Sequence, residues 1–302
     1  MASSTAASSR LISKHTKSLF IYGTAWKKDH TTRLVKQALV AGFRSVDTAA
    51  QPRHYQENLV GQALREAYEE GIVKREDIYV QTKYTAPMGQ DVNNMPYCPL
   101  DPLETQIRAS VTSSLNNLRH KEGSEEDSFI NCLLLHSPLP TIEETLQAWK
   151  TLEAYVPNKV GALGVSNVTL PILEAIYEHS NVKPSVVQNR FYQATSYDVP
   201  LRSFCLEHDI MYQSFWTLTG NPKLLRSQPV NTLGESAKVN KAIALYALVM
   251  DLDIVVLNGT TSTQHMGEDL AGIDKVRQWA KQSENETEWN QIRAEFTKHI
   301  KP

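Results

Sequence analysis

Four side chains in the first half of the chain, Asp47, Tyr55, Lys83 and His136, could together move a proton. A lysine among apolar neighbours must lose its charge or find a partner, and Asp47 is the available carboxylate. A cation beside a phenol favours the phenolate and lowers its pKa, which makes Tyr55 usable as a proton donor. His136 could hydrogen-bond a substrate oxygen and orient it. The set forms an acid site, suited to an oxygen that becomes negative as a hydride or other nucleophile reaches carbon. Taken singly, an Asp, Lys or His at a strand end is more often a loop cap or a satisfied polar group, and Tyr55 alone would be an ordinary surface residue.

The elements that must position these groups are legible as a repeat. β-Branched runs fall at 19–24, 45–49, 78–83, 130–136, 160–166, 185–191, 210–216 and 253–258. Between them lie amphipathic segments at 30–41, 58–70, 103–118, 142–156, 169–179, 199–208, 239–251 and 264–281, and 286–300 adds a helix packed on the outside. Gly42 and Gly71 follow the first two helices, where a helix end favours φ > 0. Asp47, Lys83 and His136 end consecutive strands, and Tyr55 sits on the loop after the second. Eight βα units close most economically as a single-domain α/β fold, a (β/α)8 TIM barrel, in which strand ends converge on one mouth. An open doubly wound sheet is the alternative, but no strand is followed by its GxGxxG turn. The barrel is expected over 19–302. Residues 1–18 are expected to be a disordered or weakly ordered tail, its Arg10, Lys14 and Lys17 faintly resembling a transit peptide.

Two long loops, 84–102 and 217–238, are expected at the C-terminal face. The first carries Tyr84, Met88, Met95, Pro96, Tyr97 and Cys98, which either cover a pocket or tuck onto the barrel as a surface loop.

The 302 residues include 31 Lys+Arg and 33 Asp+Glu, and the net charge of −2 offers no global attraction for nucleic acid or a membrane surface. No run approaches the ~20 apolar residues of a transmembrane helix. Cys98, Cys132 and Cys205 show neither disulfide nor zinc spacing, which fits a reducing, cytoplasmic setting. A small molecule is the expected partner of a monomer or weak homo-oligomer.

With GTAW at 23–26, DTA at 47–49, TK at 82–83, LLLH at 133–136, GVSN at 164–167, VVQNRF at 186–191 and EDL at 268–270, the chain resembles the aldo-keto reductases from Leu19 to about Ala271. The resemblance implies an NAD(P)H-dependent carbonyl reductase, with Asp47, Tyr55, Lys83 and His136 on the family's catalytic tetrad. Tyr55 would be the general acid, tuned by Lys83 and Asp47, while His136 positions the carbonyl. Ser166, Asn167 and Gln188 fall where the family holds the nicotinamide carboxamide. Phe215, with Trp216 as competitor, falls where an aromatic stacks on the nicotinamide. Gly23, Thr24, Asp47 and Leu218 match other cofactor positions, and Thr260, His265, Glu268 and Asp269 match its adenosine end.

Three departures from the family pattern stand out. Seven residues, TAAQPRH, separate Asp47 from Tyr55, more than is usual, so this loop must bulge, shaped by Pro52. After the eighth strand the run NGTTSTQHMGED puts Gly259, Thr260 and His265 where the family carries Lys, Ser and Arg for the adenosine 2′-phosphate. NADPH is the cofactor the resemblance implies, with NADH as the alternative because the Arg and Lys contacts that usually favour the phosphate are missing. The N-terminal hairpin lacks its landmarks and the C-terminal tail is short. Two rivals stand beside a carbonyl reductase: a cofactor-binding sensor or subunit with little turnover, and a lyase in which Lys83 forms a Schiff base.

Overall fold

The computed structural model describes residues 20–123 and 127–301. The expected tail at 1–18, and Leu19 at the start of the first expected strand, lie outside the described residues. In chain order the elements are β1 (Phe20–Gly23), α1 (Thr31–Ala41), β2 (Ser45–Asp47), α2 (Glu57–Glu69), β3 (Tyr79–Tyr84), α3 (Leu103–Asn117), β4 (Ile130–Leu135), α4 (Ile142–Glu153), β5 (Val160–Ser166) and α5 (Leu170–His179). There follow β6 (Val186–Arg190), α6 (Val199–Glu207), β7 (Met211–Phe215), α7 (Gln228–Ser236), α8 (Lys241–Met250), β8 (Val255–Asn258), α9 (Thr263–Ala280) and α10 (Glu286–Ile300). The eight strands pair in sequence order, all parallel, into a closed barrel. The (β/α)8 expectation holds.

Alternation along each strand separates two cores. Inward residues Tyr79, Cys132, Leu134, Ala162 and Val186 plug the barrel, while outward residues such as Val46, Val80, Leu133, Val165 and Val187 meet the helices. On β3 the same period sends Gln81 and Lys83 inward and Thr82 outward. The Thr82 hydroxyl donates to Glu57 at the start of α2, and that carboxylate also accepts from Ser114 and Asn117 at the end of α3. Burial raises the Glu57 pKa, and its neighbouring donors only partly offset that. The network ties the strand bearing Lys83 to the helix that begins two residues after Tyr55.

Gly42 and Gly71 take φ of 118° and 69°, as the helix ends require. One expectation needs correction, and one pair of alternatives is decided. The loop at 217–238 contains α7, in which only Val230 and Leu233 give an apolar signal and Pro229 is tolerated because it sits in the first turn. The 84–102 segment does not cover the cavity at the barrel mouth. Tyr84 and Tyr97 are buried side by side with ring centroids 5.8 Å apart, and Met88 projects into solvent. Its influence is indirect: Gln90 donates to the Ala50 carbonyl, and Gln51 donates to the Gly89 carbonyl, propping the loop that carries Tyr55.

Candidate active site

At the C-terminal end of the barrel lies a cavity of about 970 Å³. Asp47 lines its floor, paired with Lys83 beneath it. The Lys83 ammonium donates to both Asp47 oxygens, at 2.6 and 2.7 Å, and to the Thr48 carbonyl at 2.8 Å. Lys83 itself is fully buried beneath the lining. Burial lowers its pKa and the Asp47 carboxylate opposes that shift.

Tyr55 is half-buried on the wall, its ring 5.2 Å from the Lys83 ammonium and 6.0 Å from the His136 ring. Its phenol is pushed up, first by burial and then by the Asp47 carboxylate. The expected lowering by Lys83 is therefore corrected. The lysine's charge is taken up by both Asp47 oxygens, and the effect of the pair on Tyr55 is the carboxylate's, added to burial. The phenol consequently stays protonated across the physiological range, the form a donor needs.

His136 is pushed down to about 3 by burial, with Lys83 and His54 adding repulsion, so its imidazole is neutral. Its Nδ1 lies 2.7 Å from the Thr85 hydroxyl. With Thr85 as donor to Nδ1, the ring proton falls on Nε2, available to a ligand oxygen. With that tautomer, Tyr55 and His136 place two hydrogen-bond donors on the lining of one cavity.

Of the other sequence-predicted residues, Gly23, Ser166, Asn167, Gln188, Phe215, Leu218, Thr260, His265 and Asp269 line the same cavity, as do Asp47, Tyr55 and His136. Ser166 donates to the Gln188 carbonyl, and Asn167, held at φ 54°, donates to the His136 carbonyl. Thr24 does not reach the cavity: it is buried with its hydroxyl on the Asp47 carbonyl. Glu268 is exposed and accepts from Gln264, pointing away. Asp269 is buried, its pKa raised by burial against the donated hydrogen bond from Asn258. Phe215 and Trp216 both line the wall, Trp216 with φ 59°.

Gln81, Gln213 and Lys27 escaped the sequence reading, whereas Gln188 did not. Gln81, Gln188 and Gln213 form a ring below the site: Gln81 and Gln188 donate to Asp47 Oδ1 at 2.6 and 3.0 Å, and both donate to Gln213. An inward-facing glutamine in the apolar runs YVQTK, VVQNR and MYQSF was the available signal. Lys27 is 4% exposed, lines the cavity and donates to the Gly259 carbonyl at 2.9 Å. Burial lowers its pKa to about 8. No carboxylate among the described residues pairs with it. The β1–α1 connection, which carries no strand-end marker, thus brings one cation beside Gly259, where the sequence itself offers none. Trp26, at φ 65°, stacks on His54 at the rim with ring centroids 3.8 Å apart.

A dinucleotide fits this lining on the evidence of Lys27, an unpaired buried amine beside the Gly259–Thr261 backbone. Among the described residues no group of side chains could hold a metal ion, and no helix is long and apolar enough to cross a membrane.

The family model for the Aldo/keto reductase family matches residues 16–286. An uncharacterized oxidoreductase of Bacillus subtilis is 28% identical over 245 residues, covering 80% of this chain and 77% of that protein. An NAD/NADP-dependent indole-3-acetaldehyde reductase of Schizosaccharomyces pombe is 30% identical over 190 residues, covering 61% and 57%. A Bombyx mori aldo-keto reductase solved in complex with NADP superposes with a TM-score of 0.68 at 18% identity, covering 86% of this chain and 88% of that one, a likeness of fold.

Proposed function

The chain belongs to the aldo/keto reductase family, and on that premise we propose that it reduces an aldehyde or ketone to an alcohol, with Tyr55 as the proton donor and NADPH as the preferred cofactor. One observation carries the proposal: a protonated phenol and a neutral imidazole face the same cavity above a fully buried Lys83–Asp47 pair.

Bound in this cavity, the nicotinamide dinucleotide would supply the hydride. The chain's own residues do the rest. Lys27 and the Gly259–Ser262 backbone at the start of α9 would hold phosphate, Ser166, Asn167 and Gln188 the carboxamide, and Phe215 or Trp216 the ring face. His136 orients the carbonyl oxygen through Nε2–H, and Tyr55 gives that oxygen its proton as negative charge develops there. The Lys83–Asp47 pair lies beneath, its ammonium 5.2 Å from the Tyr55 ring, and its matched charges keep the phenol in the protonated, donating form.

Lys27 suits a phosphate of either dinucleotide; NADPH is preferred on family grounds, and NADH remains the alternative because the 2′-phosphate position offers only His265 and Thr260. The Schiff-base reading is disfavoured because all three Lys83 N–H bonds are donated and the side chain has no exposure. We keep a cytosolic location as part of the proposal, consistent with three free cysteines. The test is loss of NADPH absorbance on addition of a panel of aldehydes and ketones. Tight NADPH binding without turnover of any of them would favour the sensor reading.

A further inference from the structure

A cation stands unpaired on the cavity wall across from the acid. Arg190 ends β6, which in the closed order of eight strands lies diametrically opposite β2 and its Tyr55 loop. It is two residues beyond Gln188, so strand alternation aims both side chains at the barrel axis, with Arg190 one layer nearer the mouth. Its guanidinium is 4.2 Å from the Trp216 ring centroid and 5.6 and 5.7 Å from those of Phe215 and Tyr192. Its Nε is buried without a hydrogen-bond partner, and no carboxylate among the described residues pairs with the group. Trp216 presents its ring from a left-handed backbone at φ 59°, a conformation uncommon in a bulky residue. Strain, stacking and an orphaned donor therefore meet at one point of the lining.

A guanidinium stacked on aromatic faces is fixed in orientation and keeps its in-plane N–H groups for a planar anion. The donors suited to dinucleotide phosphates gather elsewhere, with Lys27 after β1 and the Gly259–Ser262 backbone after β8, while β7 separates them from Arg190. A phosphate monoester, at about −2, would call for a second cation, and no other Lys or Arg lines this flank among the described residues. One charge matches a carboxylate.

We infer that Arg190 is a specificity subsite for carbonyl substrates that carry a carboxylate. The acid end docks on the guanidinium fork while the carbonyl end reaches Tyr55 and His136. This rests on the reductase reading.

The test compares ω-carboxy aldehydes of four, five and six carbons with butanal, pentanal and hexanal, using the full chain and NADPH in wild type, Arg190→Met and Arg190→Lys. The expected result is a KM lower by about tenfold or more for the acid than for its neutral partner at one or more lengths. Arg190→Met should erase that difference while kcat for the neutral aldehydes and the NADPH Kd stay unchanged, and Arg190→Lys should retain part of it. Equal KM values for acid and neutral partners in wild type would overturn the inference. Weakened NADPH binding in Arg190→Met, with both aldehyde classes falling together, would overturn it as well and make the residue a cofactor clamp. If wild type reduces no aldehyde, the reductase reading fails, and tryptophan quenching by succinate, glutarate and adipate decides the subsite alone. Saturable quenching lost in Arg190→Met supports the subsite; absent or unchanged quenching overturns it.

Discussion

The Lys83 ammonium donates to both carboxylate oxygens of Asp47, at 2.6 and 2.7 Å, with both side chains essentially out of solvent. Neither charge is tolerable there alone, because the desolvation of each ion is offset chiefly by the other, with Gln81, Gln188 and the Thr48 carbonyl completing the hydrogen bonds. The pair therefore belongs to the stability of the barrel as much as to the electrostatics of the site.

Asp47→Asn should lower stability by about 3 kcal/mol or more, since it strands a buried cation. The unfolded chain then binds the lysine proton more readily than the folded one, so the deficit should shrink as pH rises toward 10. Urea unfolding at pH 7 and pH 9.5 checks both statements. A deficit that does not change with pH would separate the destabilisation from the charge of Lys83.

Lys27 titrates at about 8 in the free protein. It is charged below that value and attracts phosphate, and it loses the charge as pH rises through it. The NADPH Kd should accordingly be flat between pH 6 and 7.5 and weaken by up to about tenfold per pH unit above 8. Lys27→Met should raise the Kd at pH 7 by about tenfold and remove the alkaline dependence, which isothermal titration across the pH series would show.

His136 is neutral down to about pH 3 when folded, whereas the unfolded residue takes a proton near pH 6.5. Its folded pKa is thus depressed: it has no linkage effect above 6.5, and stability is lost as pH falls from 6.5 toward 3. The wild-type urea midpoint should drop between pH 7 and pH 5 by more than that of His136→Gln. In kinetics, kcat/KM should show no step from this residue between pH 5 and 8.

The barrel was legible because its signal is repeated eight times, and each strand end inherits its place from that repeat. Asp47, Lys83 and His136 could be placed at the mouth for this reason, and Tyr55 followed from the loop after Asp47. Helix α7 was not legible: Val230 and Leu233 are too few to set a period, and its proline, asparagine and glycine read as turn residues. Lys27 was missed because a loop lysine in TAWKKDH has no sequence feature separating it from Lys28, and only the approach of the β8 connection buries one of them.

The sequence of the 84–102 segment fits either a pocket cover or a loop tucked onto the barrel, and the structure has the second. The segment's aromatic and sulfur side chains allowed both, because composition does not say which way a loop folds. The Tyr97 hydroxyl donates to the Thr85 carbonyl at 2.6 Å and draws the segment down onto the barrel. The tuning of Tyr55 was misjudged for a related reason: the sequence pairs Lys83 with Asp47, but only geometry shows that both carboxylate oxygens are taken and that burial dominates at the phenol.

The central claim is that Tyr55 delivers the proton, and Tyr55→Phe tests it most directly because the ring and its packing are retained. For the best carbonyl substrate of the panel, kcat/KM at pH 7 should fall by about 10²–10⁴-fold, with the NADPH Kd unchanged. A variant that binds NADPH and reduces the same substrate at the wild-type rate would contradict the account.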